Sequence, residues 1–394
     1  MTISLASEDA ALRVFLVAGE ASGDRLGAAL MAEIAALAGR PVRFSGLGGP
    51  EMAAAGLPSL FPIDEISIIG VTAVFRAIPR LLRRIRETAD AVVATRPDIL
   101  VIIDSPDFTH RVARRVRAQA PSIPILDYVA PTVWGWRPGR ARVMRAYVDH
   151  VLALLPFEPA SFTELDGPPC TYVGHPLAQQ AQSLRPDAVE EQRRRAAPPV
   201  ILALPGSRRV EIRRMAALFG EALALAATRC GALDVVVPTV PGILPMVREA
   251  TDAWPIRPRI VVDPAEKRAA FRVARAALAK SGTNTLELAI AGVPMVTAYK
   301  VSSVEAVFAP LVVRGRTIIL ANLVLGENVV PEYFQRAATP RALANALSSV
   351  IADTPERQRQ VDAFARLDAI MEIGRAEPSR RAAEIVLRYA ASGR

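Results

Sequence analysis

The segment at residues 279–287 joins a turn of small residues to a carboxylate about one helical turn later. A short apolar run precedes the turn and an apolar-periodic run follows it, which predicts a strand, a turn and a helix start. Backbone N–H groups and the positive end of a helix converge at such a turn and favour a phosphate. Glu287 could accept hydrogen bonds from sugar hydroxyls beyond the phosphate, although Asn284 and Glu287 also fit an ordinary capping box. The candidate phosphate-binding residues are Ser281, Gly282 and Thr283.

A second turn, at residues 205–208, also lies between an apolar run and a predicted helix. Glycine lets backbone N–H groups approach an anion, and Ser207 and Arg208 add donors. A guanidinium can make paired, charged hydrogen bonds to a diphosphate. The alternative is a surface Arg208 in a weak ion pair with Glu211. We favour the anion site because of its position between strand and helix.

Asp104 ends the strongly apolar strand predicted at residues 100–103. A carboxylate in this position could deprotonate a substrate hydroxyl as a general base. The alternative is that Ser105 or Asp107 caps the helix that follows. We interpret Asp104 as the chemical group and Asp107 as a structural one.

A glycine-rich turn at residues 19–24 follows the first predicted strand. It lacks the G-x-G-x-x-G pattern of nicotinamide enzymes. Glu20 would repel a pyrophosphate, so Glu20 and Ser22 suit sugar hydroxyls better. Asp24 is interpreted as a cap of the following helix.

The chain has three histidines. His110 and His150 lie in predicted helices or at their ends, and we interpret both as structural. His175 follows a predicted strand directly. For His175, contact with a ligand and a structural hydrogen bond are both open.

Residues 63–78 are unusually apolar for a segment between strands. An apolar patch beside arginines suits a surface that binds anionic lipid. A buried helix with a solvated basic face explains the pattern equally well. The apolar patch consists of Ile66, Ile68, Ile69, Val71, Val74 and Phe75, and the arginines are Arg76, Arg80, Arg83, Arg84 and Arg86.

Two series of apolar strands, each alternating with helical patterns, must position these groups. Because strands that alternate with helices form parallel sheets, they predict two α/β domains with doubly wound parallel sheets, at residues 1–177 and 200–372. Ligands bind at the carboxyl ends of such strands, which is where the candidate turns lie. Two such sheets facing each other across a cleft would bring the turns together. Residues 178–199 are rich in Gln, Arg and Glu and are predicted to be a linker. Residues 373–394 are predicted to be a helix that could pack back on the first domain.

Composition narrows the class of protein further. The 394 residues are 51% apolar but only 5% aromatic, which predicts aliphatic cores around parallel strands. The net charge of +9 allows phosphorylated substrates, anionic lipid or nucleic acid as partners. No stripe of basic and aromatic residues accompanies it, which argues against nucleic acid. The two cysteines are far apart and the sequence has no metal-ligand cluster, which predicts a reduced protein without metal or cofactor. The sequence has no signal-peptide pattern and no membrane-spanning run, which predicts a cytoplasmic protein.

Seven motifs, in this order along residues 14 to 335, together resemble the lipid-A-disaccharide synthases, glycosyltransferase family 19. Each motif alone is weak, but the ordered set is highly specific. The motifs are AGEASGD at residues 18–24, IDSPDF at 103–108, PTVWGWR at 131–137, LLPFE at 154–158, VGHPL at 173–177, LPGSR at 204–208 and SGTNTLE at 281–287.

The resemblance implies an inverting GT-B glycosyltransferase of Gram-negative lipid A synthesis, peripheral on the cytoplasmic face of the inner membrane. It would join UDP-2,3-diacylglucosamine to 2,3-diacylglucosamine 1-phosphate (lipid X) through a β-1,6 linkage and release UDP. By position, Asp104 would be the general base, Arg208 would hold the UDP phosphates and Glu287 would contact the nucleoside. Asn322 and Gln335 match a further donor-site region. A homodimer is left open.

Two positions depart from the family pattern and affect the expected donor contacts. Asn284 stands where Ala is common, and residues 319–321 replace the usual Ser-Leu-Pro before Asn322. The alternatives are another GT-B UDP-hexosamine transferase, a UDP-sugar epimerase, or a peripheral membrane or nucleotide-binding protein without catalysis. An epimerase would need neither an acceptor site nor a membrane patch.

Overall fold

The computed structural model describes residues 11–66, 71–135, 137–301, 317–375 and 377–392, and only the backbone of residues 71–77. The chain divides into two compact units. The first comprises residues 1–175 and 376–394, and the second comprises residues 176–375. Each unit holds a six-stranded parallel sheet in its described part. The predicted α/β fold with two doubly wound domains is therefore confirmed.

The sheet of the first unit has the order β2-β1-β3-β4-β5-β6. The order reverses between β1 and β3, and ligands of such sheets bind outside the strand ends at the reversal. These two strands pair in parallel up to Ala18 and Ile103, so the turns after them lie side by side. The strands are β1 Leu12–Ala18, β2 Val42–Leu47, β3 Ile99–Ile103, β4 Ile125–Tyr128, β5 His150–Ala153 and β6 Cys170–Tyr172.

Helices cover both faces of this sheet, because successive side chains of a strand point to opposite faces and both sets are apolar here. On β1, Phe15 and Val17 belong to one hydrophobic cluster, whereas Val14 and Leu16 belong to the other. All five residues of β3 are buried. The helices are α1 Ala21–Leu37, α2 Pro50–Ala54, α3 Val71–Thr95, α4 Pro106–Gln119, α5 Gly139–Met144 and α6 Glu158–Glu164, with a 3-10 turn at Ile63–Glu65.

The sheet of the second unit has the order β12-β11-β10-β7-β8-β9 and reverses between β7 and β10. Leu204 of β7 pairs with Ala279 of β10, so the turns that follow these strands are neighbours. The strands are β7 Val200–Leu204, β8 Asp234–Pro238, β9 Arg259–Val261, β10 Ala274–Lys280, β11 Met295–Tyr299 and β12 Glu332–Phe334.

The helices of the second unit continue the numbering, and 3-10 turns lie at Pro241–Ile243 and Gln335–Ala337. They are α7 Pro176–Leu184, α8 Ala188–Arg195, α9 Arg209–Cys230, α10 Leu244–Asp252, α11 Pro264–Val273, α12 Asn284–Ile290, α13 Leu320–Leu325, α14 Pro340–Ile351, α15 Pro355–Ala365 and α16 Leu367–Ile370.

The chain ends in helix α17, Pro378–Ser392, which belongs to the first unit and packs against α1. Ala382 and Val386 are fully buried in the hydrophobic cluster on that side of the sheet. Tyr389 and the Nδ1 atom of His150 form a hydrogen bond of 3.0 Å. The tail therefore completes the covering of the first sheet.

The prediction of a linker at residues 178–199 is wrong. Most of this segment forms α7 and α8, which pack against α11 and α12 within the second unit. Arg194 is buried and donates hydrogen bonds to the carbonyl oxygens of Phe271, Arg272, Ala291 and Gly292. The polar composition hid this role, because a buried arginine that binds carbonyls is indistinguishable in sequence from an exposed one.

Asp24 caps a different helix from the one predicted. Its buried carboxylate accepts hydrogen bonds from the backbone N–H groups of Gly49, Glu51 and Met52, at 2.7, 2.9 and 3.0 Å. These are the groups that begin α2, so Asp24 ties α1 to α2. Sequence spacing could not predict this, because the partners lie 25 or more residues away.

We expect Asp24→Ala to lower the free energy of unfolding of the first unit by about 2–4 kcal/mol, because three backbone donors lose a charged acceptor. Hydrogen exchange at the amides of residues 49, 51 and 52 measures the opening directly. The control is Asp90→Ala, which removes a carboxylate whose side chain is 61% exposed in a 3.9 Å pair with Arg115. This control should change stability by less than about 0.5 kcal/mol. Equal exchange rates in the two variants would contradict the assignment.

Candidate active site

The carboxylate of Asp104 lies directly after β3, at the strand reversal of the first unit, and its orientation is fixed by hydrogen bonds. Asp104 and Ser105 both have left-handed backbone conformations, with φ of 56° and 48°. The hydroxyl of Ser22 donates to Oδ2 of Asp104 at 3.2 Å, and the N–H group of Ser105 donates to Oδ1 at 2.7 Å. These bonds orient the carboxylate and leave lone pairs for a substrate hydroxyl.

Glu20 lies beside the same turn. The Ser105 hydroxyl donates to Oε1 of Glu20 at 3.3 Å. A Cβ atom at Gly19 would lie 2.1 Å from Cβ of Ser105, so only glycine fits where the two turns cross. The structure thus brings Glu20, Ser22 and Asp104 together, as the sequence predicted. Two carboxylates and a hydroxyl form a site that accepts hydrogen bonds, as sugar hydroxyls require.

Neither predicted capping side chain caps α4. Ser105 occupies the N-cap position, but its side chain makes no capping hydrogen bond. Asp107 is exposed and forms an ion pair of 3.0 Å with Arg140. Asp107 is therefore structural, as expected, but its contact is with Arg140 at the start of α5 and it does not cap its own helix α4.

The histidines differ in their surroundings. The ring of His110 is buried between the Tyr147 hydroxyl and Asp127, with both distances 3.1 Å. The Nε2 atom of His150 lies 2.9 Å from the Thr171 hydroxyl. Both are structural, as interpreted from the sequence, but His150 begins strand β5 and does not lie in or at the end of a helix as predicted. Burial lowers the pKa of His175 to about 4, so its ring is neutral near pH 7.

A buried carboxyl of the first unit, in Glu158, was missed in the sequence. Glu158 begins α6 and accepts hydrogen bonds from the Leu155 N–H group at 3.0 Å and from the indole of Trp134 at 3.4 Å. Burial raises the pKa of Glu158 to about 7. The rings of Trp134 and Phe157 meet edge to face at 5.3 Å. Through Trp134, these contacts connect residues 131–135 to the segment that follows β5. The motif LLPFE was the available signal, although its letters do not show that the carboxyl is buried.

In the second unit, the turn after β10 offers backbone donors. Among the described residues, the N–H groups of Gly282, Thr283 and Asn284 have no acceptor, and the backbone bonds of α12 start at Thr285. Ser281 is buried, and its hydroxyl donates to the carbonyl oxygen of Ile318 at 3.4 Å. The turn can therefore hold an anion through its backbone.

The capping box proposed for Asn284 and Glu287 is absent. Thr283 precedes α12 in a helical conformation without a side-chain cap, and Asn284 is already the first helical residue. The carboxylate of Glu287 instead forms an ion pair with Nζ of Lys267 at 2.9 Å. Lys267 comes from α11, a distant part of the sequence that the local pattern could not include.

The turn at residues 205–208 differs from the expected anion cradle. The N–H groups of Ser207 and Arg208 donate to Oε2 of Glu211 at 2.9 and 3.2 Å. The alternative, an ion pair between the Arg208 and Glu211 side chains, is also replaced, because Oε1 of Glu211 pairs with Nζ of Lys280 at 2.9 Å. The exposed side chain of Arg208, rather than the backbone, is what this turn offers to a ligand.

Asn322 and Gln335 use their side-chain amides inside the protein. Buried Asn322 accepts from the N–H groups of Val329 and Val330 and donates to the Val330 carbonyl oxygen. Gln335 makes two hydrogen bonds to the backbone of Val301, at 3.1 and 3.3 Å. In this structure both residues shape loops of the second unit.

Most of the predicted apolar patch lies outside the described residues or side chains, namely Ile68, Ile69, Val71, Val74 and Phe75. Ile66 is partly buried against the first core. Further along α3, Ile78 and Leu82 are each 39% exposed, and Arg80, Arg83 and Arg86 are exposed beside them. Arg84 differs, because it pairs with Glu65 at 2.6 Å.

The described residues show neither a metal-binding cluster nor a membrane-spanning helix. No group of three or more His, Cys, Asp or Glu side chains could hold a metal ion. No described helix is both long enough and apolar enough to cross a membrane.

Solved structures resemble this chain in fold. A UDP-GlcNAc 2-epimerase from Neisseria meningitidis bound to UDP-GlcNAc has a TM-score of 0.64 and 12% identity, and covers 96% of this chain and 100% of that one. MurG from Acinetobacter baumannii has a TM-score of 0.58 and 16% identity, and covers 96% of this chain and 99% of that one. At such identities the likeness shows the GT-B fold alone.

Sequence comparison is more specific. Residues 14–386 match the family described as Lipid-A-disaccharide synthetase. A protein of Nitrobacter hamburgensis named Lipid-A-disaccharide synthase is 61% identical over 95% of each chain. Its namesakes in Rhodopseudomonas palustris BisB18 and Ruegeria pomeroyi are 60% and 47% identical, again over 95% of each chain. This chain therefore belongs to the lipid-A-disaccharide synthase family of glycosyltransferases.

Proposed function

We propose that this chain transfers 2,3-diacylglucosamine from UDP to the 6-hydroxyl of 2,3-diacylglucosamine 1-phosphate, forming a β-1,6 linkage and releasing UDP. The observation that carries the proposal is the 61% identity to a named lipid-A-disaccharide synthase over 95% of the chain. The polar site at Asp104 and the backbone donors after β10 supply the two kinds of group that the reaction needs. The test is an assay with both acylated sugars that follows UDP release and disaccharide formation.

In the first unit, Asp104 acts as the general base on the acceptor hydroxyl. Its two intramolecular hydrogen bonds, from Ser22 and from the Ser105 N–H group, fix the direction of the carboxylate. Ser22 and Glu20 bind other hydroxyls of the acceptor sugar. Deprotonation makes the acceptor oxygen nucleophilic while it attacks the anomeric carbon, and a single displacement inverts the configuration there.

In the second unit, the donor is held by its diphosphate. The N–H groups of Gly282 and Thr283 and the guanidinium of Arg208 bind the phosphates and stabilise the charge that develops on departing UDP. Glu287, which is paired with Lys267, accepts hydrogen bonds from the nucleoside. Asn322 and Gln335 position the neighbouring loops through their backbone contacts. No covalent intermediate with the enzyme is required.

We further infer that the protein works as a peripheral protein at the cytoplasmic face of the inner membrane, because both substrates carry acyl chains. The exposed side chains of α3 support this location. Ile78 and Leu82 offer apolar contact, and Arg80 and Arg83 offer attraction to anionic headgroups at about 1 kcal/mol each.

We expect Asp104→Asn to lower kcat by about 10²–10⁴-fold, because the acceptor hydroxyl loses its base while the donor site is unchanged. Steady-state rates with both lipid substrates measure the loss, and titration with UDP should give the same affinity as the original protein. Asp107→Asn is the matched control and should keep kcat within about threefold, since Asp107 is exposed in an ion pair with Arg140. Full activity of the Asp104 variant would refute the assigned base.

We expect Arg208→Met to raise the KM for the UDP-sugar by about 10- to 100-fold, because one charged, forked contact to the diphosphate is lost. The KM for the acceptor should stay unchanged. Arg213→Met removes an exposed arginine one turn further along α9 and serves as the control. Equal donor KM values for these two variants would exclude Arg208 from the donor site.

Replacing Arg80 and Arg83 together by Gln should weaken binding to vesicles with anionic lipid by about 2 kcal/mol, roughly 30-fold. Co-sedimentation with vesicles measures the change, which should shrink as salt is added. The control replaces Arg341 and Arg359, two exposed arginines of the second unit, by Gln. The same loss in both double variants would show an effect of net charge alone and would contradict a surface at α3.

A further inference from the structure

Glu211 and Lys280 form an ion pair between the two turns that flank the strand reversal of the second unit. Glu211 lies in the first turn of α9, and Lys280 is the last residue of β10. Their charged atoms are 2.9 Å apart, and the side chains are only 13% and 17% exposed. Removing a carboxylate and an ammonium from water is costly unless each finds a partner, so this pair depends on both members.

The other oxygen of Glu211 is committed to the turn after β7. It accepts from the N–H groups of Ser207 and Arg208. A Cβ atom at Gly206, where φ is 134°, would lie 2.4 Å from Cβ of Glu211, so the turn is closed tightly around this side chain. A bond to the Arg208 N–H group alone would be half of an ordinary capping box. The ion pair with Lys280, at the end of strand β10, is an additional contact that a helix cap does not need.

Lys280 lies equally close to the turn after β10. Its ammonium is 3.7 Å from the place that a Cβ atom of Gly282 would take, and 4.8 Å from the ring centre of Tyr299 on β11. Opposite charge lowers the pKa of Glu211 against the effect of burial, so the carboxylate stays ionised. The pair therefore joins three neighbouring strand ends.

We propose that Lys280 and Glu211 are a positioning pair that sets the separation of Arg208 from the turn at residues 281–283 before the UDP-sugar binds. The proposal rests on the donor site assigned above. It requires that Lys280 neutralises Glu211, because an unpaired carboxylate beside this turn would repel the diphosphate.

The test compares Lys280→Met, Glu211→Gln and the double variant, each checked for folding by circular dichroism. Lys280→Met should raise the KM for the UDP-sugar at least about tenfold, since Glu211 is left unpaired. Glu211→Gln should lower kcat but change that KM by less than about threefold, because Arg208 still reaches the diphosphate but is no longer held at the separation that the transition state needs. In the double variant, the KM should return to within about threefold of the original value while kcat stays low, because the repulsion is gone and the spacing is not restored.

Two further variants keep the result decisive. Lys280→Arg retains the cation and should keep the donor KM within about threefold, even if the Met variant folds poorly. Asp234→Asn breaks a half-exposed pair with Arg193 at the start of β8 and should change neither constant. A donor KM of Lys280→Met that matches the original protein would overturn the proposal. So would a double variant no better than Lys280→Met, which would mark Lys280 as a direct phosphate ligand. Failure of the original protein to bind UDP would instead refute the donor site itself.

Discussion

Close packing of two turns at each strand reversal is the constraint on which the functional part of this protein depends. Neighbouring parallel strands in register end at the same edge of the sheet, so the chain must turn twice in very little space. In the first unit the turns meet at Gly19 and Ser105, where no Cβ atom fits on the glycine. In the second unit they are joined by Glu211 and Lys280. Each candidate site is built on such a junction.

The acidic residues of the two junctions have different partners. In the first unit, Glu20 and Asp104 receive hydrogen bonds from hydroxyls and a backbone N–H group. In the second unit, Glu211 and Glu287 are each paired with a lysine. An acceptor of hydrogen bonds suits a neutral sugar hydroxyl, whereas neutralised carboxylates permit an anion to approach. The same sheet architecture thus gives two candidate sites of different charge through the partners of its acidic residues.

Sequence periodicity was sufficient for the two parallel sheets and for the places where their turns meet. Apolar runs of five residues, such as β3, are buried on both faces of the sheet, and a continuous apolar run in the sequence indicates such a strand directly. Side-chain partners were much harder to predict. Glu287 looked like a cap because its local spacing fits one, yet it pairs with Lys267 from α11. Asp24 and Glu211 were likewise governed by groups that the fold, rather than the sequence neighbourhood, brings near.

The buried guanidinium of Arg194 has a consequence for where the second unit can be cut from the chain. Its donors satisfy carbonyl oxygens of residues 271, 272, 291 and 292, at the ends of two helices. A fragment that begins at the first strand of this unit would leave those oxygens without their donor and uncover the helices beneath α7 and α8. A fragment that holds the second unit alone therefore has to begin near Pro176, some two dozen residues before its sheet.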